Sequence, residues 1–151
     1  MKKSKMLKVV FWAFLLNTIW EFTQCLFLYE MWDWTFWKAT FWMWAAVFGD
    51  ILIVLGLWQG VKTLFKSTGL PKKTGIQYLL LLAISFGASI FLEWMALYLK
   101  LWEYETSMPT LYLLSYKVGL TPILQITFLP ALSVYLAENY HLPYIKNNND
   151  T

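Results

Sequence analysis

The chain contains no arginine: all 12 basic residues among its 151 are lysines. Arginine is the better fork for bidentate phosphate contacts, and no RNA- or DNA-binding pattern is present, so nucleic acid is not expected as a partner. Cysteine and histidine are almost missing as well. Cys25 and His141 each stand alone, which excludes an internal disulfide and a cysteine-based metal cluster. A His-ligated metal is not expected either, nor is a cofactor. Charge is scarce: 14% of the residues are charged, where a soluble domain carries about 25%. A chain so poor in charge cannot cover itself with polar surface, and its apolar surplus must face lipid.

What is abundant agrees with that. Hydrophobic residues make up 59% of the sequence and aromatics 20%, with 10 Trp. Trp and Tyr favour the membrane–water interface, where one ring is half apolar and half wet. Four apolar stretches reach the roughly 20 residues needed to span a hydrocarbon core: 7–29, 39–61, 76–99 and 111–136. Backbone groups in lipid must be satisfied within their own segment, which makes helices the economical solution. The expected fold is therefore an all-α integral membrane four-helix bundle, one transmembrane domain over 1–140 followed by a short polar tail over 141–151. The first stretch follows Lys2, Lys3, Lys5 and Lys8 but is too long for a signal h-region and lacks an Ala-x-Ala exit; it is expected to stay in place as a helix.

Lysine asymmetry sets the expected orientation. Four lysines precede the first helix, and Lys62, Lys66, Lys72 and Lys73 lie between the second and third, with Gly69-Leu70-Pro71 as a turn. The other loops mix Glu30, Asp33 and Lys38, and Lys100, Glu103 and Glu105. Both termini are thus expected in the cytoplasm, with the chain multi-pass in a bacterial cytoplasmic membrane.

Chemistry belongs to the few polar groups inside the spans. An intramembrane carboxylate is costly and usually faces the bundle interior or a wet cavity. Three occur: Glu21, Asp50 and Glu93. Asn17, Trp20, Glu21 and Gln24 follow the spacing i, i+3, i+4, i+7 and share one stripe of the first helix. Ser85, Ser89 and Glu93 share a face of the third. Gly49-Asp50 lies near the middle of the second, where Gly49 is expected to let another helix approach. In the fourth, Pro122 is expected to free a carbonyl one turn earlier, beside Gln125. Helical rise puts Asp50 and Gln125 near the midplane, with Glu21 and Glu93 further outward, compatible with one outward-biased acidic pocket. The loop Trp102-Glu103-Tyr104-Glu105 up to Pro109 is either an interfacial anchor or a cap for that pocket.

Taken together, Asn17-x2-Trp20-Glu21-x2-Gln24, Leu28-Tyr29, Gly49-Asp50, Glu93, Trp102-x-Tyr104-x3-Met108-Pro109 and Gly119-Leu120-x-Pro122-Ile123-Leu124-Gln125 resemble a family of small, uncharacterised bacterial inner-membrane proteins. The resemblance covers most of 17–130 and implies the same membrane bundle and site, but no reaction. Where that family places a His or another polar group before the Gly-Asp pair, this chain has Ala45-Ala46-Val47-Phe48, which argues against a metal or proton relay there.

Three functions remain open. One is a membrane enzyme acting on an amphiphilic or isoprenoid-like small molecule, with Glu21 and Glu93 as acid and base. Asp50 joins them as the third candidate catalytic acid, and Asn17, Trp20, Gln24, Gln125, Trp102 and Tyr104 are the candidate binding residues. Another is a small proton-coupled transporter or binding protein, working as a homodimer. The third is an accessory subunit whose polar stripe meets a partner membrane protein, the polar groups then serving as packing glue. Lysine is absent from the middle of every span, so the acids lack an internal cation.

Overall fold

A computed structural model describes residues 2–29, 31–68, 74–113 and 116–140. Glu30, the Gly69-Leu70-Pro71 turn with Lys72 and Lys73, and the tail from His141 onward lie outside the described residues. Four helices dominate: α1 (Lys2–Leu28), α2 (Phe36–Thr68), α3 (Thr74–Tyr98) and α4 (Leu120–Asn139). Each is long and apolar enough to cross a membrane. Large side chains such as Phe41, Leu52, Phe86, Phe91 and Phe128 point outward and are exposed, the surface a lipid-facing bundle presents. The chain is a multi-pass, four-helix membrane protein whose apolar outer surface suits contact with lipid.

The bundle is antiparallel between neighbours. α3 packs chiefly on α4, α4 on α1 and α1 on α2, while α1 and α3 scarcely touch. At one end, the Lys5 ammonium lies 2.6 Å from Glu138 Oε1, and the Tyr78 hydroxyl donates to Glu138 Oε2 at 2.7 Å. The starts of α1 and α3 and the end of α4 therefore meet at a single end. Val9, Ala13, Val54, Leu81 and Val134 belong to the core in that half. A smaller cluster of Cys25, Tyr29 and Met108, with Trp102 and Tyr104 against it, fills the opposite end.

Three sequence expectations change here. The fourth apolar stretch is not one helix over 111–136. Residues up to Gly119 form an antiparallel hairpin of β1 (Thr110–Leu113) and β2 (Tyr116–Gly119), with Thr110 opposite Gly119, and the helix starts at Leu120. Pro122 consequently sits in the first turn of α4. Its missing N–H would have had no intrahelical acceptor there, so no carbonyl is freed. Pro130 is the interior proline, and it leaves the Ile126 carbonyl without its usual partner. Finally, Gly49 does not seat a neighbouring helix: a Cβ built on it meets no atom within 4 Å.

Close helix approach occurs instead on the α3–α4 seam, where Ser85 and Ser89 are fully buried and their small side chains let the partner come near. Ser89 satisfies its hydroxyl on the Phe86 carbonyl at 2.7 Å, whereas the Ser85 hydroxyl makes no hydrogen bond. Ser85→Ala is therefore expected to leave thermal stability in detergent unchanged or slightly raised, since no partner loses a bond. Ser85→Leu should overpack the seam and lower stability by about 1–3 kcal/mol.

Candidate functional site

At the end of the bundle away from the termini lies a cavity of about 310 Å³, walled by all four helices and the loop after α3. Among the described residues, Glu21, Asp50, Glu93 and Glu103 line it, and no Lys or His does. The rest of the wall is largely apolar and aromatic, including Trp34, Trp42, Trp102 and Tyr29. Small residues on α2, namely Ala45, Ala46 and Gly49, keep that side open, which is the use the helix makes of the glycine.

The polar stripe of α1 meets α2 and α4 at one point. Gln125 Nε2 lies 2.6 Å from Glu21 Oε1, 2.6 Å from Asp50 Oδ2 and 3.2 Å from Asn17 Oδ1. Asn17, Glu21 and Gln125 are buried and Asp50 is half-buried. An amide nitrogen carries two hydrogens, so three acceptors share two donors. The cluster can accept one further donor, which is either a proton held between the two carboxyls or a group brought by a ligand. Asn17 gives one of its two amide hydrogens to the Ala13 carbonyl at 2.8 Å. Cys25 sits beside Glu21, with its sulfur 3.9 Å from Oε2.

Glu93 reaches the same cavity from α3. Only 2% of it is exposed, yet its Oε1 makes no hydrogen bond of normal geometry. The Trp102 indole N–H and the Gly119 amide both face this carboxyl. Trp102 Nε1 is itself buried without a complete bond, while Gly119 N–H lies 3.1 Å from the Tyr104 hydroxyl. Gly119 has no side chain to block this approach; a Cβ there would stand 3.1 Å from the Tyr104 ring and from Pro122. Tyr29 accepts from Gln24 Nε2 at 2.8 Å, and Gln24 in turn accepts from the Trp20 indole at 2.5 Å. Burial pushes the Tyr29 phenol well above its ordinary value, so it stays a neutral hydroxyl.

Six of the nine sequence-derived candidates line the cavity: Glu21, Asp50, Glu93, Gln24, Gln125 and Trp102. Asn17, Trp20 and Tyr104 do not; they hold Gln125, Gln24 and Gly119 from behind. Gln125 is not at a helix midpoint but about a turn and a half into α4, level with Glu21 and Asp50. The loop after α3 belongs to the wall and is tied to α1 by Glu105 N–H on the Leu28 carbonyl at 3.1 Å and Ser107 on the Phe27 carbonyl at 2.7 Å. Trp34 and Trp42 were not singled out from the sequence, where nothing separates them from other interfacial tryptophans. No family model, curated protein or solved structure matches the chain, so the site is interpreted from its geometry.

Gln125→Leu removes the shared donor and strands three acceptors, two of them buried, and it is expected to lower stability by about 1–3 kcal/mol. Adding Asp50→Asn restores an N–H at the same point and should recover part of the loss, read as a positive coupling in a double-mutant cycle of thermal or denaturant unfolding.

Proposed function

We propose that this protein is a membrane enzyme that handles an amphiphilic or isoprenoid-like substrate inside the bilayer by acid/base chemistry. The observation that carries this reading is the convergence of Glu21, Asp50 and Glu93, from three helices, on one aromatic-walled cavity with no basic residue in its lining among the described residues. A proton moves most readily between groups of matched type held within reach of the substrate. The Gln125-bridged pair of Glu21 and Asp50 supplies one such station, and Glu93 the other. The pairing refines the sequence expectation: Asp50 acts with Glu21, and Glu93 works alone across the cavity. The aromatic wall offers apolar contact to the substrate's body and ring faces to any positive charge that develops on it. In this reading the bacterial cytoplasmic membrane holds the chain with both termini inside, so the cavity opens toward the outer half. The chain then joins the small inner-membrane family that its motif pattern resembles.

Native mass spectrometry with lipidomics on the purified protein tests the reading. Wild type should retain a specific amphiphile that Glu21→Gln binds at least tenfold less well. Gly49→Leu should lose it too, with no loss of thermal stability, because leucine there enters open cavity and favours the helix. Retention of bulk lipid alone by all three would reject an amphiphile site and favour a partner-protein surface. Substrate-driven pH changes in proteoliposomes would instead favour a proton-coupled transporter, the reading in which two copies cooperate.

Orientation is tested separately. Cys25 is buried, so a single added cysteine reports on its own. Lys8→Cys should react with an impermeant maleimide only after the cells are opened, and Glu103→Cys in intact cells whose outer membrane has been permeabilised. The reverse pattern would invert the bundle and place the cavity on the cytoplasmic side.

A further inference from the structure

The carboxyl pair of the cavity carries a charge that nothing around it answers. Glu21 and Asp50 face each other within hydrogen-bonding range, and Gln125 bridges Glu21 Oε1 and Asp50 Oδ2. Two carboxyls this close are stable together when they share a proton, and the pair then keeps one negative charge. That charge opens to the cavity at Asp50. Its Oδ2 is taken by Gln125, whereas no donor among the described residues reaches Oδ1, and the atom is not sealed off. No Lys or His among the described residues lines the cavity to neutralise it. A charge in apolar surroundings stays costly until a partner of opposite sign meets it. The wall, meanwhile, suits a cation. Tyr29, Trp34 and Trp42 line the cavity, and an ammonium of the chain itself already rests on one of these rings: Lys38 Nζ lies 3.8 Å from the Trp34 centroid.

We propose that the cavity binds a compact lipophilic amine, its ammonium on Asp50 Oδ1 and its apolar body running along α2 to Trp42. This inference deepens the acid/base reading above, on which it rests, by naming the substrate class. The surface of α2 matches such a ligand. Trp42, Ala46 and Asp50 follow one another at i, i+4 and i+8, share one face of the helix and all line the cavity. Ala45, Ala46 and Gly49 leave the space beside the carboxyl free, and a Cβ at Gly49 meets no atom within 4 Å. The rise from Asp50 to Trp42 is about 12 Å at 1.5 Å per residue, so a short alkyl linker ending in a ring reaches from one to the other. A cavity of about 310 Å³ lies at the lower end for small-molecule sites, which suits a body of this size. Charge decides against the alternatives. An alcohol brings a hydrogen but no charge, and a carboxylate meets the acids of the lining.

Phenylbutylamine, phenylbutanol and phenylbutanoate share one body and differ in charge. Equilibrium dialysis of each against protein-loaded nanodiscs, with empty nanodiscs subtracted, tests the assignment. Wild type is expected to bind the amine saturably and at least tenfold more tightly than the alcohol, with no saturable binding of the carboxylate. Asp50→Asn, which keeps the shape and removes the charge, should bring the amine to the level of the alcohol and leave the alcohol unchanged. Gly49→Leu, which fills the space beside Asp50, should weaken amine and alcohol alike, and it carries the test if Asp50→Asn fails to fold. Alcohol bound as tightly as amine would overturn the cation assignment and leave the amphiphile reading in place. An amine preference that survives in Asp50→Asn or in Gly49→Leu would overturn it in the same limited way. No saturable binding of any probe would also overturn the assignment; the amphiphile reading falls with it only if wild type retains no specific lipid in the lipidomics experiment.

Discussion

The amide nitrogen of Gln125 is the contact on which the site end of the molecule depends. It joins α4 to two acceptors on α1 and one on α2, in a region where the wall is otherwise apolar. Inside a bilayer there is little hydrophobic drive between helices, and packing and hydrogen bonds must hold them together. A single donor group that three helices share sets their rotation as well as their spacing. If α1 turned by one residue, Glu21 would leave the cavity and face lipid. Bundle geometry and pocket chemistry are thus fixed by the same atoms.

The remaining contacts sort by their distance from that point. Lys5, Tyr78 and Glu138 gather three helices at the terminal end, with the apolar core of Val9, Ala13, Val54 and Leu81 above them. Polar density then rises toward the other end, through Asn17 and Gln125 to Gln24, Tyr29 and Glu93. Around this cluster, Trp20 and Tyr104 act as props: each fixes a residue that reaches the wall without reaching it itself. Such a second layer keeps first-contact groups in place and is what a binding or reacting site requires of its scaffold.

Much of this was legible in the sequence. The four spans followed from length and apolarity, and the stripe of Asn17, Trp20, Glu21 and Gln24 followed from helical period. That Glu21, Asp50 and Glu93 share a cavity was compatible with their depths, though depth alone says nothing of direction. The hairpin was hidden because 111–114 is a short apolar run with no period to tell strand from helix, and it is continuous with the apolar sequence beyond. The signal that marked its end was Pro122, which is more at home in the first turn of a helix than in its interior. Gly49 misled for a related reason: a small residue makes room, and whether a helix or a void uses the room depends on partners far away in sequence. Trp34 and Trp42 lie among several tryptophans of the same composition, and only tertiary packing selects them.

The late start of α4 has a consequence for the bilayer itself. From Glu138 back to Leu120 the helix rises about 27 Å at 1.5 Å per residue, whereas α3 rises about 30 Å between Tyr78 and Tyr98 and continues from there into the loop. The Gly119 amide meets Glu93, a residue more than a turn short of the end of α3, so the hairpin strand arrives below the rim of the bundle. Extended backbone at that depth is tolerated only where protein or water covers it. Val118 and Gly119 are buried there, so the bundle itself covers the arriving strand, and the short α4 leaves no bare backbone at that depth.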